Sequence, residues 1–218
     1  EAVARPSCRF PVKGENVYAI SFEHYRYMRM LVRFLCAKAV LDARSGRTSE
    51  AVRSLELALK ASESLKVEPT LIGVLVRVAM IGIALDALRD IENSHDLTGV
   101  DTSALVSVLS AIDLSSGYQT ALKGERAWVW SVFDDIRNHG IRYEDIGLDA
   151  AKANPWLRLR GTYLGRPLLY LDELDYLKRM GKMIEDLNGP FRNANPSIPR
   201  SPSVNISTIS SFTDLMCP

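Results

Sequence analysis

The sequence predicts an all-α protein, an irregular bundle of five or six main helices arranged as antiparallel helical hairpins. Apolar residues recur at intervals of three and four positions over most of the chain, which is the spacing of one helix face. Residues typical of helix ends, such as Ser, Thr, Asp, Pro and Gly, stand where these runs begin and end. No segment alternates between apolar and polar residues for long enough to predict a sheet.

The composition is that of one globular domain. The 218 residues are 47% apolar and 24% charged, which is too apolar for a disordered chain. Lys and Arg number 27 against 26 Asp and Glu, so the basic excess of a nucleic-acid-binding protein is missing. We expect a single helical domain over 21–187 with an irregular insertion at 141–165, between an extended arm at 1–20 and a Pro/Ser-rich tail at 188–218.

Two helices joined by a short turn are predicted at the start of this domain. Ser21 is a candidate N-cap for a first helix over 22–43, which Gly46 closes. Thr48 or Ser49 caps the second helix, and so short a turn places the two helices antiparallel. The inward face of the second helix is expected to carry Ala51, Leu55, Ala58, Leu59 and Leu65.

The third helix, from Pro69 to about Ile91, contains the most apolar stretch of the chain. A membrane span needs about 20 apolar residues. This run is shorter and has Arg77 at its centre, a charge that costs roughly 2.5–3.5 kcal/mol to insert into a bilayer. We therefore predict a central buried helix, in which Gly73 and Gly82 let neighbouring helices approach closely.

Three further helices complete the predicted bundle. A fourth helix spans 101–114 with Asp101 as its cap, a fifth spans 118–138, and a sixth begins at Pro167 or Leu171. The inward face of the fifth helix is expected to carry Leu122, Ala127, Trp130, Val132, Phe133 and Ile136. The inward face of the sixth, which ends at Leu187, is expected to carry Leu171, Leu174, Leu177, Met180 and Ile184.

Arg77 is the most informative polar residue, because a charge buried in an apolar helix must be paired. Glu125 is the candidate partner, and the structural interpretation is a buried ion pair that fixes how the third and fifth helices dock. The functional interpretation is a polar cleft between the first, third and fifth helices, formed by Arg77, Glu125 and His24. The sequence favours the structural interpretation and leaves the functional one open.

Aromatic residues concentrate in the second half of the chain, among them Trp128, Trp130 and Trp156. Trp128 and Trp130 are two positions apart and cannot share one helix face, so one of them is expected to point away from the main core. The simpler explanation places that side chain beneath the 141–165 segment. The alternative is an anchor for a binding partner, because Trp is enriched in binding hot spots.

The sequence contains no motif for catalysis, phosphate binding or a cofactor. Glu92 and His95 have the Glu-x-x-His spacing of di-iron bundles, but such a site needs two of these motifs and two further Glu residues. We therefore expect no metal. Cys36 is expected to be a small buried hydrophobe, whereas Cys8 and Cys217 would pair only if the two ends of the chain meet.

The second helix and the turn before it resemble a tetratricopeptide hairpin over about 32–65. Gly46 stands where that motif ends its first helix, and Ala51 and Ala58 are small residues at the spacing that its second helix uses. The closing Pro of the motif would fall at Glu63, and the pattern does not recur further along the chain. The resemblance implies one hairpin of this type within an irregular helical domain.

The order of segments is similar to an uncharacterised bacterial family of helical envelope proteins. The matching segments are the arm 5–11, His24 with the Arg-rich helix after it, the Gly46 turn, and the segments 68–72, 75–77 and 122–127. The resemblance covers most of 5–187 and implies an extracytoplasmic domain with a membrane anchor N-terminal to it. A cytoplasmic location is the alternative. No activity comes with the family, so no catalytic residue is transferred.

These observations favour a non-enzymatic interaction or scaffold domain that binds a protein or peptide through a helical surface. The alternative is a small-ligand binder or enzyme with a polar cleft around Arg77 and Glu125. A closed interior would favour the first hypothesis, and a polar pocket that contains several of these residues would favour the second. We expect no cofactor and no nucleic-acid partner, and the sequence leaves the oligomeric state open.

Overall fold

A computed structural model describes residues 22–95, 97–138, 159 and 162–187. Every regular element within these ranges is helical, which confirms the prediction of an all-α fold. The helices are α1 (Glu23–Arg44), α2 (Thr48–Glu63), α3 (Leu71–Ser94), α4 (Ser103–Ser110), α5 (Leu114–Asn138) and α6 (Arg166–Asp186), with a 3₁₀ turn at Tyr163–Gly165.

Residue contacts divide the chain into two compact units. The first includes the described residues up to Ala121, and the second includes those from Leu122 onwards. The division falls inside α5, within the range 21–187 for which the sequence predicts one domain. Several sequence predictions lie outside the described residues: the arm at 1–20, Ser21, most of the insertion at 141–165, the tail at 188–218, Cys8, Cys217 and Trp156.

α1 and α2 form the predicted hairpin, and Gly46 makes the turn between them. Gly46 has a φ of +76°, a left-handed conformation that a side chain disfavours, and its amide donates to the carbonyl of Ala43 at 2.9 Å. Small residues where the two helices meet allow their backbones to approach closely. The inward face predicted for the second helix is confirmed, because these residues are all buried: Ala51, Leu55, Ala58, Leu59 and Leu65.

The starts of α2 and α3 differ from the prediction. The hydroxyl of Thr70 accepts a hydrogen bond from the Gly73 amide at 3.0 Å, so α3 begins after Thr70 and Pro69 precedes the cap instead of opening the helix. Thr48 is already the first residue of α2, and Arg47 before it makes no capping bond with its side chain. α3 thus starts at its capping hydroxyl and not at Pro69, whereas α2 starts without a side-chain cap.

Two aspartates set the boundary between α4 and α5. Asp101 accepts a hydrogen bond from the Ser103 amide at 2.9 Å, as expected of a capping residue. α4 ends at Ser110 and does not reach Leu114, because Asp113 accepts bonds from the amides that follow it and starts α5 there. The fifth helix is therefore one turn longer at its start than the sequence predicts.

The buried face of α5 in the second unit is only partly the predicted one. The inward positions Leu122, Val132, Phe133 and Ile136 are buried, as predicted. Trp130 is 48% exposed, and Val129 takes the inward place beside it, so the assignment of Trp130 to the core is wrong. Ala127 is also exposed.

The inward face predicted for α6 is only partly right: Met180 is buried, as predicted, but most of the buried face is not the predicted one. Leu171 and Leu174 are exposed, whereas the buried residues of this helix are Leu169, Asp172, Glu173, Tyr176 and Met180. Glu173 forms an ion pair with Arg137 of α5, which turns a face with two carboxylates inward. The spacing of apolar residues cannot reveal a buried face that contains carboxylates, because this kind of analysis assigns every Asp and Glu to the solvent-exposed side.

α3 is long and apolar enough to cross a membrane by length and composition alone. In its most apolar window of 18 residues, 44% of the residues are buried. This fraction fits the core helix of a water-soluble protein and a membrane helix equally, so the absence of a membrane span stays a prediction. The helix is buried on one face and not all round, because Ile72, Leu75 and Val78 are exposed.

The two glycines predicted to mark close helix approach behave differently. A Cβ at Gly73 would lie 2.8 Å from the hydroxyl oxygen of Tyr25, so α1 does approach α3 closely there. A Cβ at Gly82 would meet no atom within 4 Å, and the predicted close approach at this position is wrong. Gly82 is an ordinary helix position with free space around it.

Gly46 and Gly82 form a matched pair for testing the turn conformation, because a Cβ meets no atom within 4 Å at either position. We expect Gly46→Ala to lower the free energy of unfolding by about 1 kcal/mol, since Ala is strained at positive φ. Gly82→Ala should raise it by up to about 1 kcal/mol, because Ala is the better helix former. Urea unfolding of both variants checks this, and equal effects would contradict the role given to the turn.

Candidate functional site

Arg77 is buried within the first unit, with 1% of its surface exposed. Its Nε donates to Oε1 of Glu63 at 3.1 Å, and its Nη2 donates to Oε1 and Oε2 at 2.9 Å each. The remaining nitrogen, Nη1, donates to the carbonyl of Asp113 at 3.0 Å. Each nitrogen of the guanidinium therefore has an acceptor, which compensates for much of the cost of burying the charge.

The first turn of α5 closes the space around this guanidinium. A Cβ added at Gly117 would lie 2.7 Å from Nη1 of Arg77, so only a glycine fits there without displacing the side chain. Arg77 thus joins the end of α2, the second turn of α3 and the start of α5. A closed arrangement of this kind holds helices together and offers no open cleft to a ligand.

The partner of Arg77 is Glu63 and not Glu125, so this prediction is corrected. Side chains on a helix point towards its N-terminus, and that end of α3 follows directly from the end of α2, where Glu63 lies. Glu63 occupies the place where the tetratricopeptide motif would have its closing Pro. Glu125 lies in the second unit, where its main-chain carbonyl accepts a bond from the Tyr176 hydroxyl at 3.4 Å.

His24 belongs to a second polar cluster, at the start of α3. The hydroxyl of Tyr25 donates to Oε2 of Glu68 at 3.2 Å, and it lies 2.8 Å from Oγ1 of Thr70. Nε2 of His24 is 4.0 Å from Oε1 of Glu68, at the outer limit for an ion pair. His24 and Arg77 thus have different carboxylate partners. Sequence reasoning missed Glu68, because a carboxylate beside Pro69 is typical of an exposed turn.

A third cluster ties the α1–α2 hairpin together. Asp42 is buried and accepts hydrogen bonds from Nζ of Lys38 at 2.6 Å and from Nη2 of Arg47 at 2.6 Å. Lys38 also donates to Oγ of Ser54 on α2 at 3.3 Å. The hydrogen bonds from Lys38 and Arg47 lower the pKa of the Asp42 carboxyl. Sequence reasoning missed this site, because an aspartate near a helix end is usually solvated.

The two described tryptophans of the predicted interaction set are both partly exposed. Trp128 is 37% exposed and Trp130 is 48% exposed, with the buried Val129 between them. The sequence predicts that one of the two points away from the core, and the structure places both outside it. Their role in binding a partner stays a prediction.

A row of exposed apolar side chains in the first unit lies on α1. We call it the outer face of α1; its large apolar side chains are between 42% and 67% exposed and comprise Tyr27, Met30, Leu31, Phe34 and Leu41. The buried residues of this helix, such as Val32 and Ala39, lie on the opposite side. Both sides of α1 contain apolar residues at helical spacing, so the sequence alone does not show which side faces the core.

Arg77 and His24, two residues of the cleft hypothesis, do not line the surface cleft that the described part of the first unit contains. A surface cleft of about 300 Å³ is lined by residues of α1 and α3, including Arg44, Asp90 and His95, but not by Arg77 or His24. No group of three or more potential metal ligands occurs in the described ranges. Cys36 is buried as predicted, and burial raises the pKa of its thiol to about 11.

Comparison of the chain with protein-family models, with curated proteins and with solved structures finds no match.

The Arg77–Glu63 pair leads to a double-mutant prediction. We expect Arg77→Leu to lower the free energy of unfolding by about 3 kcal/mol, because it leaves a carboxylate without its partner in a largely buried place. Glu63→Leu should lower the free energy of unfolding by a similar amount, since it leaves the buried guanidinium without its carboxylate partner. The double variant should recover most of the loss, because two apolar side chains replace two charges.

Urea unfolding of the two single variants and the double variant measures this coupling. Glu92→Leu is the control, since Glu92 is exposed near the end of the same helix as Arg77, and it should change the unfolding free energy far less. Additive losses in the Arg77→Leu, Glu63→Leu double variant would show that the two side chains do not depend on each other.

The lowered pKa of Asp42 predicts that the stability of the fold decreases in acid. Its pKa is lower in the folded chain than in the unfolded chain, so the ionised carboxylate stabilises the fold above the unfolded value of about 4. This stability is lost as the pH falls through the lowered folded pKa. We expect Asp42→Asn to destabilise the protein at about pH 7 and to differ less from the wild type at about pH 3. Urea midpoints at the two pH values test this, and a constant difference would contradict it.

Proposed function

We propose that this protein is a non-enzymatic interaction domain that binds a protein or peptide on the outer face of α1. One observation carries the proposal. Phe34, at the centre of this face, is 67% exposed, and large apolar side chains stand next to it along the helix. A row of exposed large apolar residues on one face is typical of a surface that a partner covers.

The interior of the first unit supports the same proposal. Arg77, the polar residue with the strongest claim to a ligand site, is bonded to Glu63 and to the carbonyl of Asp113, and Gly117 packs against it. These bonds engage most of the five N–H donors of the guanidinium, so little of its hydrogen-bonding capacity is left for a small molecule. The chemistry open to a partner is therefore that of the surface.

The likeness to the bacterial envelope family supports an extracytoplasmic location for this interaction domain. The tetratricopeptide-like hairpin supports the same type of function, since such hairpins serve as docking scaffolds. The alternative, a small-ligand binder with a cleft around Arg77 and Glu125, has less support, because these two residues have separate partners.

Selection of a displayed peptide library against the purified chain tests this proposal. We expect selected peptides to bind Phe34→Ser at least about tenfold more weakly than the wild type, because burial of a Phe side chain contributes about 2 kcal/mol. Leu75→Ser is the matched control, since Leu75 is 68% exposed on α3 and Phe34 is 67% exposed on α1. Binding to this control should be unchanged.

Two results would contradict the proposal. Selected peptides that bind Phe34→Ser as well as the wild type would place the binding surface elsewhere. A native mass spectrum with extra mass that is lost on denaturation would instead indicate a bound small molecule and favour the alternative.

A further inference from the structure

The apolar residues on the outer face of α1 follow the spacing of a coiled coil. Tyr27, Met30, Phe34, Ala37 and Leu41 are separated by three, four, three and four positions, and all five are exposed. This alternation is that of the a and d positions of a heptad, the residues through which two helices pack. We call these five residues the α1 seam.

Three of the five positions that flank the α1 seam are basic, and the other two are Leu31 and Val40. With Tyr27 at an a position, Arg26 and Arg33 fall at g positions and Lys38 at an e position, which are the places where coiled-coil partners exchange ion pairs. Both arginines are exposed, and neither forms an ion pair with any residue in the described part of the chain. Lys38 already pairs with Asp42, so the two arginines are the cations that a partner would meet.

Pairing of two copies of this chain through the α1 seam is unfavourable. In a parallel pair, Arg33 of one copy would face Lys38 of the other across the g–e′ contact. In an antiparallel pair that overlaps along the whole seam, Arg33 would face Arg33 of the other copy. Like charges are opposed in both arrangements, and like charges at these positions disfavour pairing. The flanks therefore select a partner with carboxylates at its own e and g positions.

A lipid surface also fits this face less well than a helix does. Helices that lie in a bilayer interface carry a broad apolar face, whereas an a/d stripe is the narrower seam of helix–helix packing. On α1, Arg26 and Arg33 border this stripe on one side, while the exposed Leu31 and Lys38 lie along the other. The two arginines limit the width of the apolar face on their side, which brings it closer to the seam of one partner helix than to the broad face of a bilayer helix.

The geometry points to an acidic amphipathic helix of another protein as the partner, docked along the α1 seam with its carboxylates facing Arg26 and Arg33. This inference rests on the proposed function, because it names the partner class of the same surface. The apolar seam provides the contact area for binding. The two arginines provide the specificity, because they distinguish acidic helices from other helices of similar hydrophobicity.

Three synthetic helical peptides test the inference on the full chain. They share Leu at every a and d position and differ only at e and g, where they carry Glu, Gln or Lys. Fluorescence anisotropy measures each dissociation constant at low and at high salt. We expect the Glu peptide to bind about fivefold more tightly than the Gln peptide, which corresponds to two exposed ion pairs. The Lys peptide should bind most weakly, and high salt should reduce the differences.

Charge reversal on the seam flanks gives the sharper measurement. The double variant Arg26→Glu, Arg33→Glu should invert the order, so that the Lys peptide binds more tightly than the Glu peptide. The control is the double variant Arg53→Glu, Arg89→Glu, which makes the same change in net charge at exposed positions on α2 and α3. It should keep the original order, because bulk charge is not what selects the peptide.

The outcomes separate this inference from the function on which it rests. Equal binding of all three peptides, abolished by Phe34→Ser, would overturn the acidic partner while leaving an interaction surface on α1. No binding of any peptide would overturn helix docking on the seam.

Two other results would assign the seam to a different partner. The inference would fail if native mass spectrometry showed that the chain is a dimer and that the Phe34→Ser variant is a monomer. It would also fail if the chain sedimented with phosphatidylcholine vesicles only when these contain phosphatidylserine, and if Phe34→Ser abolished this binding. The partner of the seam would then be an anionic lipid surface. The library selection tests the wider function independently of charge.

Discussion

The ion pair between Arg77 and Glu63 is the interaction on which the first unit depends. Its guanidinium lies in the most apolar helix of the chain, where an uncompensated charge would cost several kcal/mol. α3 can therefore pack only where a carboxylate and a carbonyl meet that charge. Glu63 at the end of α2 supplies the first, and Asp113 before α5 supplies the second. Gly117 leaves the guanidinium just enough room. One side chain thus sets the positions of three helices together, which an apolar residue with non-directional contacts could not do.

Because the interior of the first unit is closed, we expect a binding partner to be recognised by surface residues. Several polar groups of the first unit are paired with one another: the hydroxyl of Tyr25 donates to Glu68, and Lys38 and Arg47 donate to Asp42. α1 takes part in both of these clusters through its inner side, which fixes its orientation in the hairpin. The same orientation turns a second apolar row, centred on Phe34, towards solvent. An apolar row that the fold itself does not use is the basis of the interaction function proposed above.

Sequence reasoning succeeded where the determining interaction is local. The turn at Gly46 needs a residue tolerant of positive φ, and Asp101 needs only an amide two positions away, so both can be recognised within a short window. It failed where the interaction connects distant residues. The inward face of α6 depends on the pairing of Glu173 with Arg137, and no periodicity within α6 carries that information. The partner of Arg77 was misassigned for the same reason, since several carboxylates lie within reach of a charge whose position in space is unknown.

The sequence by itself determined the all-α class, the α1–α2 hairpin and the fact that Arg77 must be paired, because helix periodicity, turn chemistry and the cost of a buried charge are properties of short segments. Only the tertiary structure decided that Glu63 is its partner and that the row through Phe34 faces outward. α1 is apolar on two opposite sides, and either could face the core as far as its sequence shows. Burial is decided by which neighbours cover a face, and those neighbours are distant in the sequence.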